Sequence, residues 1–65
     1  MKFELHISVD NAAFEGEERE DELGRILTEL GTRLREDTRL VPNQPIRLMD
    51  INGNRVGYAV LQGAA

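Results

Sequence analysis

Cysteine is absent from this 65-residue chain, and histidine occurs once, as His6. The first absence removes disulfides, thiolate zinc sites and cysteine nucleophiles together. With a single imidazole, a metal centre would have to be assembled almost wholly from carboxylates, so neither a metal nor a cofactor is expected. Aromatic residues are scarce as well: Phe3, Phe14 and Tyr58 are the whole set. Lys and Arg number eight against twelve Asp and Glu, for a net charge of −4. Nucleic-acid binders generally carry a basic patch that meets phosphate, which argues against direct nucleic-acid binding. An acidic surface is attracted instead to basic protein surfaces. No apolar run approaches the roughly 18 residues of a membrane span, and no apolar signal-peptide core follows Met1. The expected setting is cytoplasmic, away from membranes.

A chain this short forms one domain, expected over residues 1–65, and buries only about 60% of the surface it exposes when unfolded. Domains of this size usually need a staple such as a disulfide, a metal or a second copy of themselves. With the first two set aside, self-association or a partner protein is the expected supplement.

What is present is strongly patterned. Residues 2–9, KFELHISV, alternate: Phe3, Leu5, Ile7 and Val9 against Lys2, Glu4, His6 and Ser8. A period of two with one wet face predicts a strand. DNAAFEG supplies turn residues, and Phe14 is expected to fold back onto the start of the next element. From Glu17 to Glu36 the period lengthens. Leu23, Ile26, Leu27, Leu30 and Leu34 form one apolar helical stripe. Acids crowd the first turns and Arg33 and Arg35 the last, which complements the helix dipole. Gly24 and Gly31 each cost roughly 1 kcal/mol relative to Ala in a helix interior. Either a close-packed backbone justifies them or they are simply tolerated. Two further strands follow Pro42 and Pro45, one in IRLMD and one in RVGYAVLQ, and the final GAA is expected to fray.

Between those strands lies DINGN, which superficially looks like a cation or phosphate loop. An EF-hand needs glycine sixth and a bidentate Glu twelfth; counted from Asp50, glycine comes fourth and the twelfth residue is Leu61. A phosphate loop needs more glycines and usually Lys with Ser or Thr. A three-residue hairpin loop, Ile51-Asn52-Gly53, fits better. It closes Asp50 against Asn54, with Asp opening a type I turn and Gly in the left-handed position. An unbroken register then pairs Leu48 with Val56 and Ile46 with Tyr58, gathering Ile46, Leu48, Val56, Tyr58 and Val60 on one face.

The element order is β-α-β-β. A right-handed crossover makes the first two strands parallel, and the third fits between them. The expected fold is therefore an α+β two-layer domain, with sheet order 1-3-2 and the helix on one face. The open face would carry Lys2, Glu4, His6, Ser8, Arg47, Met49, Arg55, Gly57 and Ala59. Its low middle, Met49, Gly57 and Ala59, is the candidate self-association surface.

Taken together, ISVDNAAF, ILTELGTRL and DINGNRVG resemble a group of short bacteriophage and mobile-element proteins, over nearly the whole chain. The specific parts are DNAAF and DINGNRVG. The resemblance carries no functional residues with it, and what it implies is a context. Small phage proteins outside the structural modules often bind and disable host proteins, CRISPR and other defence systems included, in the cytoplasm of the bacterial host.

Two readings of function follow. In the first, the chain inhibits a host protein, in the manner of an anti-CRISPR protein. Glu17, Glu18, Glu20, Asp21 and Glu22 would occupy a basic surface by charge complementarity. The same acids also favour a helix N-terminus and keep a protein soluble. In the second, the chain is a homodimeric structural or regulatory module without inhibitory activity. Sheet-mediated nucleic-acid binding through Lys2, His6, Arg47 and Arg55 would call for exposed aromatics to stack on bases, and all three are assigned to the core. An enzyme is not expected. His6 has Glu4 and Ser8 as same-face neighbours, but such positions lie some 7 Å apart along a strand, too far for a hydrogen-bonded triad.

Overall fold

The computed structural model describes residues 1–63. Strand β1 (Lys2–Ile7) leads through a 3-10 turn at Ala12–Phe14 into helix α1 (Glu18–Glu36); β2 (Ile46–Met49) and β3 (Arg55–Gln62) follow. The sheet order is β1-β3-β2, with β3 antiparallel to both neighbours. The expected α+β architecture is the one observed. Phe14 does fold back: it is buried with Ala13 in the cluster that also holds Ile26, Leu30, Leu48, Val56 and Ala59.

DINGN is a hairpin turn. The Gly53 N–H donates to the Asp50 carbonyl at 3.0 Å, and the Asp50 N–H donates to the Asn54 carbonyl at 2.8 Å. Gly53 takes φ +84°, the left-handed conformation that glycine adopts without steric cost. The other loop is also a tight turn. Gln44 N–H donates to the Val41 carbonyl across Pro42 and Asn43, and Asn43 has φ 67°, as the third residue of a type II turn requires. Gly63 is held in place: its N–H donates to Asn43 Oδ1 at 3.3 Å. The rest of the expected frayed tail, residues 64–65, lies outside the described residues.

The register past the turn differs from expectation. Met49 pairs with Arg55, but Leu48 pairs with Gly57, Arg47 with Tyr58 and Ile46 with Ala59. A β-bulge at Val56 inserts one extra residue into β3, and beyond it the alternation inverts. Ala59, expected on the open face, is wholly buried under the helix at 0% exposure. Tyr58, expected in the core, falls on the opposite face, where it stacks on His6 with ring centroids 4.8 Å apart. Val60 shares that face by alternation but is buried as expected, at 8% exposure. Gly57 gives the physical reason. A β-carbon there would overlap the His6 carbonyl oxygen and lie 2.9 Å from Ile7 Cα. The close backbone approach that the glycine signals is made by the chain's own β1, which leaves none of it for a partner.

Helix α1 does not lie centrally over the sheet. Ile26 and Leu30 point into the core. At 3.6 residues per turn, Glu22, Arg25, Glu29 and Arg33 occupy one flank, and Leu23, Leu27 and Leu34 the other. The polar flank lies along the free edge of β2. There Arg25 Nη2 donates to the Met49 carbonyl at 3.2 Å and Arg33 Nη1 to the Arg47 carbonyl at 3.3 Å. The apolar flank therefore looks toward β1, whose helix-side residues stay partly uncovered: Leu27 is 46% exposed, Phe3 44% and Leu5 38%. Among the described residues outside the helix's own backbone, nothing lies within 4 Å of where a β-carbon would sit at Gly24 or Gly31, so close packing against another element does not explain them.

Candidate partner-binding surface

The five acids proposed as a site separate into two groups. Glu17 precedes the helix, and Glu18, Glu20 and Asp21 lie in its first turn, all exposed. Carboxylates at this end are favoured by the unpaired N–H groups and the positive end of the helix dipole. Among the described residues, Glu17, Glu18 and Asp21 make no side-chain hydrogen bond or ion pair. Glu20 meets Arg19 at 2.8 Å on the surface.

Glu22 does not belong with them. It is 6% exposed, and both of its oxygens are used internally. Arg25 Nε donates to Oε1 at 2.6 Å and Arg25 Nη2 to Oε2 at 3.2 Å, while the Ile51 N–H donates to Oε2 at 2.7 Å. Its carboxyl is held below the usual carboxylate range, first by the Arg25 hydrogen bonds, which together with the Ile51 N–H and the Arg25 charge outweigh burial. The expectation that Glu22 faces a partner is thus corrected. It ties α1 to the β2–β3 turn. Arg25 completes the clamp by donating to Glu29 Oε2 at 2.9 Å.

Asp50 is the second internal carboxylate. Burial acts to raise its pKa, but donors outweigh it and leave the group below the usual range. Oδ1 accepts the Asn54 and Asn52 N–H groups at 2.8 and 3.0 Å, and Oδ2 accepts Asn11 Nδ2 at 3.1 Å and Asn54 Nδ2 at 3.3 Å. A carboxylate ringed by N–H donors is arranged to fix a turn, and its lone pairs are not turned toward a cation. Among the described residues, no group of three or more His, Cys, Asp or Glu is placed to hold a metal ion.

Rigid support from Glu22 and Asp50 presents one residue that sequence reasoning passed over. Ile51 sits at the tip of the turn and is 69% exposed. With Ala13, Glu18, Asp21 and Arg25 it lines a shallow groove beside the first turns of α1. An apolar knob thus stands next to unpaired carboxylates. Its hydrophobicity was visible in the sequence, but its position beside the helix depends on the Glu22–Ile51 hydrogen bond.

Of the candidate self-association residues, Met49 is exposed on the face away from the helix, while Gly57 and Ala59 are not together with it. Tyr58 and His6 form the relief of that face instead. His6 also meets Glu4 Oε1 at 3.1 Å, closer than backbone spacing suggests, because both long side chains lean along the strand. Ser8 is turned away and donates to Asp10 Oδ2 at 3.1 Å, so the three do not form a relay.

No protein-family model, curated protein or solved structure matches the chain. Among the described residues, no helix is long and apolar enough to cross a membrane.

Proposed function

We propose that this chain is a non-catalytic protein-binding module that inhibits its partner by covering a basic surface. The binding end comprises Glu17, Glu18, Glu20 and Asp21, with Ile51 as an apolar anchor beside them. The observation that carries the reading is the division among the acids. Glu22 and Asp50 are saturated with internal donors, whereas Glu17, Glu18 and Asp21 are exposed and, among the described residues, unpaired. Carboxylates held on a rigid element beside an apolar residue suit a basic groove with a small apolar socket, where charge steers the encounter and the buried side chain anchors it. The phage-like pattern in DNAAF and DINGNRVG supports a bacterial nucleic-acid-binding protein as the target, a defence nuclease of the CRISPR type among them.

The test is capture from a bacterial lysate, with identification of the bound protein by mass spectrometry. A variant carrying Glu17→Gln, Glu18→Gln, Glu20→Gln and Asp21→Asn, with Glu22 left intact, should lose at least ten-fold in binding to the captured protein. Ile51→Ser should weaken binding by a comparable factor. Undiminished binding by both variants would sink the proposal.

A further inference from the structure

We infer that β1 is the interface of a two-fold dimer, in which it pairs antiparallel with β1 of a second copy with Leu5 facing Leu5. The inference is independent of the acidic binding end.

The two edges of the sheet are treated differently. At the β2 edge, Arg25 and Arg33 occupy the outward carbonyls of Met49 and Arg47. Such devices blunt an edge that would otherwise recruit another strand. Among the described residues, no comparable group covers β1. Ser8 N–H donates to the Val56 carbonyl of β3 at 2.8 Å. By the alternation of an antiparallel ladder, Glu4 and His6 also face β3, and Phe3, Leu5 and Ile7 send their N–H and C=O groups outward. The side chains of these same residues face the helix side, where Phe3 and Leu5 stay exposed.

The β1 sequence then selects its own register. With Leu5 opposite Leu5, Phe3 faces the second copy's Ile7, Glu4 faces its His6, and Lys2 faces its Ser8. Every apolar residue meets an apolar one, and every charged residue meets a neutral or opposite partner. Moving the two-fold axis by one residue along the strand sets Glu4 against Glu4 or His6 against His6, and like pairs directly opposite destabilise a sheet. Shifting it by half a residue would put apolar side chains opposite polar ones. The preferred register yields a six-stranded sheet, β2-β3-β1-β1-β3-β2, whose outer edges are the two arginine-capped ones. It also closes the assembly, since no open edge remains for a third copy.

Sedimentation or light scattering on the wild-type chain from micromolar to millimolar concentration reads the state directly. A dimer is expected, and a monomer throughout, including one that accepts only a foreign extended peptide, overturns the inference. Register is read with two single-cysteine variants, Glu4→Cys and His6→Cys, in a chain that otherwise has no thiol. Those positions form a non-hydrogen-bonded pair with Cα atoms about 4.5 Å apart, within disulfide range. Mixed and oxidised, they should form the heterodimeric disulfide in preference to either homodimer. Dominance of either homodimer would overturn the register. Charge variants give a thiol-free check. Glu4→Lys and His6→Glu should each weaken the homodimer roughly ten-fold, and mixing them should restore association. Failure to restore it would count against the Glu4–His6 pairing.

Discussion

The β2 side of this small protein is closed and the β1 side is open, although both edges belong to the same three-stranded sheet. On the closed side, Glu22, Arg25 and Arg33 satisfy the turn and the edge carbonyls, and Ile26 and Leu30 pack over Leu48. On the open side, Phe3, Leu5 and Leu27 remain partly in water. Polar side chains on one flank of α1 draw it toward β2, and its apolar flank is left overlooking β1. Where a helix settles on a sheet is thus decided by directional contacts as much as by burial area.

The sharpest way to break the comparison is at the join of the two sides. Gly57→Ala places a β-carbon on the His6 carbonyl, so β1 must shift or detach. A loss of about 3 kcal/mol is expected, the upper part of the usual range for overpacking. Urea denaturation followed by circular dichroism measures it, and a loss below ~1 kcal/mol would mean that β1 adjusts freely.

Next in size is the clamp on the closed side. Glu22→Ala leaves the Ile51 N–H and Arg25 without their acceptor and should cost about 2 kcal/mol. The same residue sets a pH dependence. Glu22 and Asp50 titrate lower in the folded protein than in the unfolded chain, so below pH ~5 the unfolded state binds more protons. Their stabilisation is complete above the ordinary carboxylate range and is lost as pH falls through the lowered folded values. The thermal midpoint should drop on acidification, and Glu22→Gln should flatten that slope. An equally steep slope in Glu22→Gln would remove Glu22 from the account.

The smallest expected change is a gain. Gly24 has open space around it and an ordinary helical backbone. Gly24→Ala should therefore stabilise α1 by up to about 1 kcal/mol. A loss instead would point to a contact at Gly24 made by another chain.

The type and order of the elements and the DINGN turn were legible because each rests on short-range rules: alternation, helical spacing, and Asp and Gly at fixed turn positions; the alternation over residues 2–9 overran β1, which ends at Ile7. The bulge was not read, although Gly57 inside a strand pattern is a recognised sign of one. Its cause, the approach of β1, lies some fifty residues away along the chain. Glu17, Glu18, Glu20 and Asp21 were legible as an exposed acidic turn from the helix dipole. Glu22 carried a local sign that it differs: it stands four residues before Ile26 and eight before Leu30, on the buried stripe itself. Arg25 follows at the spacing that makes ion pairs on a helix. Asn11 and Asp50 had no such sign, since only the finished fold brings them together.

The stack of Tyr58 on His6 also has an optical consequence. Tyr58 is the only tyrosine, and tryptophan is absent, so emission and dichroism within the tyrosine absorption band, to the long-wavelength side of the phenylalanine bands, come from one ring. That ring sits on β3 directly across from β1. The protein therefore carries a built-in, label-free gauge of whether its first strand is in place.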